Sequence, residues 1–207
     1  MLMTFQLLFT VVLAAAVYGG VVFALIGAPG KVTRMGHVID LLNKIVGSTV
    51  ACLTLVMVVV QFALVLMRYV FGIGSIFMQE SVVFMHGIVF MAAVGFTLYR
   101  EGHVRVDIIY RTASRETKGW IDALGVTVLM VPVCLLIVYV SQPYVAAAWR
   151  IFEGSRETSG LPGWYLYKTL LLVFPTLLAL QGLALASRAI LTLRGHTVSP
   201  HGTAAPT

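Results

Sequence analysis

Five stretches of the chain carry no Asp, Glu, Lys or Arg: residues 1–30, Ile45–Met67, Ser81–Tyr99, Ala123–Trp149 and Thr169–Ser187. No other feature limits the fold so tightly. A helix needs about 18–20 apolar residues to cross about 30 Å of hydrocarbon. Backbone N–H and C=O groups find no water in lipid, so each spanning stretch must close its hydrogen bonds internally, as a helix. The chain has 207 residues, is 59% hydrophobic and has a mean hydropathy of +0.96, too apolar for a soluble domain of this length. The expected fold is an all-α integral membrane protein, a bundle of about five transmembrane helices. Residues 1–30 form the first span, and the others fall at about 45–68, 80–99, 120–146 and 165–190. The tail, 193–207, reads as disordered.

The net charge of +6 reports topology rather than a nucleic-acid partner. If spans alternate, ten of the 14 Lys and Arg residues fall on one side, among them Lys31, Arg34, Lys44, Arg100, Arg105, Arg111, Arg188 and Arg194. Arg68, Arg150, Arg156 and Lys168 fall on the other. Positive residues stay cytoplasmic, so the N-terminus is expected outside and the C-terminus inside. The first stretch lacks the positive n-region of a signal peptide and is long for an h-region. It is therefore expected to remain as an anchor.

Local signals refine the spans. Val38, Leu41, Leu42, Ile45 and Val46 repeat at helical spacing, with Asp40, Asn43 and Lys44 on the other face. This predicts an amphipathic approach helix lying in the membrane interface and leading into span two. Arg68 suits a helix C-terminus, Tyr69 the aromatic belt and Gly72 a helix stop. Glu80 opens span three, where a helix N-terminus favours a carboxylate. Ser114 is the expected N-cap of span four, and Pro132 predicts a kink inside it. The longest outer loop, RIFEGSRETSGLPG at 150–163, holds Arg150, Glu153, Arg156 and Glu157.

Little in the spans points to chemistry. Gln61, Gln142 and Gln181 read as polar groups that hydrogen-bond between helices. His86 is a poor haem candidate, because a second axial histidine at compatible depth is lacking. No serine pairs with a base in a recognisable nucleophile pattern. Cys52 and Cys134 lie inside separate spans and suggest neither a disulfide nor a metal site. No catalytic residue, cofactor or metal is expected. The charged stretch REGHVRVDIIYR at 100–111 interleaves Val and Ile with charge, which suits a segment lying on membrane or partner better than a catalytic pocket.

Three motifs occur in order: RYVFG at 68–72, Gln79-Glu80 at a helix start, and GHVRVD at 102–107. In this the chain resembles the small permease subunit of TRAP (tripartite ATP-independent periplasmic) transporters, the DctQ-like family, over roughly residues 38–192. With EGSRETSGLP and ALQGLA it is most similar to the mannitol/chloroaromatic branch. The resemblance marks Arg68, Tyr69, Gly72, Glu80, His103, Arg105 and Asp107 as family-motif residues. It implies two protein partners, a large membrane permease holding the substrate and ion sites and a periplasmic substrate-binding protein. It also implies ion-gradient-driven uptake of an organic acid, usually with sodium, across a bacterial inner membrane. The small subunit would brace the permease and help receive the binding protein, with Arg150, Glu153, Arg156 and Glu157 as candidate docking residues. Residues 31–192 would be the family's four-span domain and 1–30 an added span. Small residues such as Gly87, Ala92, Ala93 and Gly95 are expected to face the permease. The competing readings are a membrane anchor of a redox complex and a stand-alone small membrane regulator.

Overall fold

The computed structural model describes residues 2–100 and 112–196, and all its regular elements are helical. His103, Arg105 and Asp107 lie outside the described residues, as do the last eleven residues of the tail. The elements are α1 (Leu2–Ile26), α2 (Pro29–Val70), α3 (Ile76–Ala92), α4 (Val94–Tyr99), α5 (Arg115–Leu124), a π-helical turn (Gly125–Met130), α6 (Val131–Arg150) and α7 (Trp164–Leu193). Among the described residues, four helical stretches are long and apolar enough to cross a membrane: Pro29–Val70, Ile76–Tyr99, Arg115–Arg150 and Trp164–Leu193. The protein is thus an all-α, multi-pass membrane protein.

The helix ends follow local chemistry. Gly72 adopts φ 68° directly after α2, a left-handed conformation that costs Gly little. The Ile73 N–H then reaches back to the Met67 carbonyl at 3.0 Å, which closes the helix end. The Ser75 hydroxyl accepts from the Met78 N–H at 3.3 Å and starts α3. Ser114 likewise accepts from the Thr117 N–H at 3.1 Å and caps α5. The 71–75 turn and the 151–163 loop share one end of the bundle, the hairpin end.

α7 is the central post and packs against every other helix. Ala179, Leu183, Ala186, Ala189 and Ile190 of α7 form one apolar core with Leu13, Val17 and Val21 of α1 and with Val131, Cys134 and Val138 of α6. α1 therefore lies along α6 and α7, and barely touches α2. The carbonyls at its C-terminal end, Ala24 O and Gly27 O, accept from Arg194 Nη1 at 3.4 and 3.2 Å. A cation there satisfies unpaired carbonyls at a helix C-terminus and suits its dipole.

Pro132 acts through the preceding turn. The Val131 N–H bonds Val126 O, five residues back. Continuing that register would pair residue 132 with Thr127 O, but proline has no N–H. The Tyr18 hydroxyl of α1 donates to Thr127 O instead, at 3.2 Å. The expected kink thus takes the form of a widened turn, with its missing hydrogen bond supplied from another helix.

The approach segment runs directly into span two and departs from expectation only in what its polar face meets. It is continuous with span two, making α2 a 42-residue helix, about 63 Å long. Its apolar stripe faces outward, as expected beside a membrane, but two of its three polar residues do not face water. Asp40 and Asn43 are buried between helices, whereas Val38, Leu41, Leu42 and Ile45 point outward. In water an apolar stripe seeks the protein core. Beside lipid tails the apolar stripe has nothing to gain from burial, and polar groups seek partners inside.

Candidate functional site

Two polar constellations stand out, one at each end of the bundle. At the end opposite the hairpins Asp40 accepts from Arg188 Nη1 at 2.7 Å and from Gln181 Nε2 at 2.8 Å. Gln181 Oε1 in turn accepts from Asn43 Nδ2 at 2.8 Å. Asn43 Oδ1 has no hydrogen-bond partner among the described residues and lies against Gly95, where any Cβ would overlap it. This chain of side chains ties α2 to α7 beside α4.

At the hairpin end the 151–163 loop folds over the start of α3 and α7. The Glu80 carboxylate accepts from the Ser155 hydroxyl and, at 2.5 Å, from the Leu161 N–H. Ser155 Oγ also accepts from the Glu157 N–H at 3.0 Å, so its hydrogen bonds are spent in holding the loop. Ser155 N–H donates to Leu161 O at 3.0 Å. Gly160 fits because a Cβ would overlap Ser155 and stand 2.6 Å from Glu80 Oε2. The second fastening is Lys168 Nζ, 2.6 Å from Glu153 Oε2 and 4.1 Å from the Tyr144 ring centre. Beneath the loop, Phe84, Trp164 and Tyr167 pack with ring centres 4.8–5.5 Å apart, within the range of favourable aromatic geometry. A cavity of about 410 Å³ remains, lined by Glu80, Tyr144, Ser155, Arg156, Trp164 and Lys168.

The expected site residues distribute unevenly. Arg150, Arg156 and Glu157 are exposed at the hairpin end, while Glu153 is half-buried and engaged by Lys168. Arg68 and Tyr69 are exposed beside the Gly72 stop. Gln181 bonds across helices, as above. Gln142 is buried with neither amide atom hydrogen-bonded. Gln61 is exposed on α2 and bonds no described residue. Three of the small residues expected to face another subunit pack internally: Gly87 against Tyr167, Gly95 against Asn43, and Ala92 within the bundle. Such close approaches are what small residues permit in membrane helices.

Sequence reasoning missed Asp40 and Arg188 as a pair, and it missed Ser155, Gly160 and Leu161 as partners of Glu80. A signal for the first was present: Gly36, Asp40, Asn43, Gly47 and Val50 form a stripe at helical spacing, and all are buried. The second rests on residues 75–81 positions apart, for which one sequence carries no pairing signal.

A family model described as "Tripartite ATP-independent periplasmic transporters, DctQ component" matches residues 57–192. That range takes in the Glu80 clamp and Gln181 but excludes α1 and Asp40. No curated protein and no solved structure shows a significant match.

Proposed function

Since the chain belongs to the family of DctQ components of tripartite ATP-independent periplasmic transporters, we propose that it braces the large permease and helps dock the periplasmic binding protein. The observation that carries this reading is the 151–163 loop. Glu80 and Lys168 fasten it from below, while Arg150, Arg156 and Glu157 stay exposed above. A fixed loop with free charges on top can meet a soluble partner without an ordering cost on binding. Exposed charges of both signs suit recognition and encounter. The bias of Lys and Arg puts this end in the periplasm and both the Asp40 end and the C-terminus in the cytoplasm.

The transport step belongs to the partner permease: uptake of an organic acid driven by an ion gradient, in a bacterial inner membrane. α1 acts as a fifth span, N-terminus outside. Its supports are the buried Leu13, Val17 and Val21, the Tyr18–Thr127 bond and the Arg194 cap. The test of docking is the double charge reversal R156E/E157K in the assembled transporter. Uptake is expected to fall while the two membrane components still purify together. Unchanged uptake would overturn the docking role.

A further inference from the structure

Gln61 and His86 share an open groove between α2 and α3, walled by Val58, Phe62, Val65 and Val83. The groove holds about 580 Å³. Gln61 stands nine residues before the end of α2, and His86 ten residues after the start of α3. At 1.5 Å per residue each is about 14–15 Å below the hairpin end, close to the middle of about 30 Å of hydrocarbon. Both side chains are exposed, and neither bonds a described residue.

Polar side chains at this depth are costly against lipid tails and turn toward protein partners. The flanking side chains are apolar and highly exposed, Phe62 at 63% and Val58 at 57%, so the groove itself supplies no hydrogen bonds. Gly87, Ala92 and Gly95, small residues suited to a close approach by another subunit, are already used inside the bundle. A polar pair in an apolar wall therefore remains as the feature able to select a neighbour here.

We infer that this groove receives a transmembrane helix of the large permease, one carrying an amide or hydroxyl side chain that hydrogen-bonds Gln61 and His86 together. The inference rests on the function proposed above and assigns it a contact face. Gln61 offers both a donor and an acceptor, and a neutral imidazole offers one of each. A single amide or hydroxyl has the donor and acceptor capacity to serve both.

The test uses the full chain co-expressed with its large permease. Gln61→Leu and His86→Leu are each expected to lower permease retention about threefold, and the pair roughly tenfold. The thermal midpoint of the isolated chain should not change, because no internal bond is lost. A photo-crosslinking residue at Phe62 or Val83 should give an adduct that peptide sequencing identifies as subunit plus permease. One at Leu136, exposed on α6, should not. Full retention by the double variant, a lowered midpoint, or an adduct of two copies of this chain would each overturn the inference. If the unaltered chain fails to hold a permease at all, the function proposed above falls first. If the unaltered chain holds it and the groove variants do too, only the contact face falls.

Discussion

Removing Asp40 tests whether the inner polar chain holds the bundle together. Asp40→Ala deletes the acceptor of two bonds, from Arg188 at 2.7 Å and from Gln181 at 2.8 Å. Both partners of the ion pair are largely enclosed, with side-chain exposures of 15% for Arg188 and 10% for Asp40. Breaking a fully buried pair costs about 3–5 kcal/mol, because a charge is stranded. Arg188 lies five residues from the end of α7 and can swing its guanidinium toward headgroups, which reduces the loss. We expect Asp40→Ala to destabilise by about 2–3 kcal/mol, and Asp40→Asn, which keeps an acceptor for Gln181, by about 1–2 kcal/mol. The double variant Asp40→Leu/Arg188→Leu should recover much of the loss, since no charge is stranded. The assay is reversible unfolding in mixed micelles by a denaturing detergent, followed by circular dichroism and tryptophan emission. A double-mutant cycle should give a coupling of about 1–2 kcal/mol between Asp40 and Arg188. A coupling within about 0.3 kcal/mol of zero would refute the reasoning, because that is how a solvated surface pair behaves.

Three further outcomes follow from the geometry. Gly160→Ala places a methyl group on Ser155 and Glu80, so limited proteolysis at Arg156 should accelerate roughly tenfold as the loop loosens. Tyr18→Phe leaves Thr127 O without its donor and should cost about 0.6–1.7 kcal/mol in the same micelle assay, the range for hydrogen bonds between membrane helices. Gly95→Ala collides with Asn43 and crowds the Leu177 carbonyl, which should cost about 1–3 kcal/mol by overpacking. A stability equal to the unaltered chain would show that Asn43 can turn away freely.

Four of the five expected spans were legible because lipid imposes a length and forbids charge, and both leave a plain trace in composition. The helix stop at Gly72 and the cap at Ser114 were legible because each depends on one residue's own chemistry. For residues 38–46 the apolar stripe was rightly placed outward, but the polar stripe was assigned to water. Within a bundle in lipid the polar stripe turns inward, and Asp40 and Asn43 do so. Glu80 was recognisable as a helix-start carboxylate, but its hold on Ser155 and Leu161 depends on how a distant loop folds back. The roles of Gly87 and Gly95 depended on which helix happened to lie opposite, Tyr167 of α7 in one case and Asn43 of α2 in the other.

The bond from Tyr18 to Thr127 spans 109 positions of sequence, and the Arg194 cap on Gly27 spans 167. During synthesis α1 emerges before either partner exists. Its two long-range bonds wait until α2, α3 and α4 have been made, and it has little contact with α2. When Pro132 arrives, its helix carries a carbonyl without a donor, and the waiting tyrosine closes it. The last helix then caps the first. The hydrogen bonds of α1 thus join segments far apart in sequence, and neither can form before its distant partner has been made.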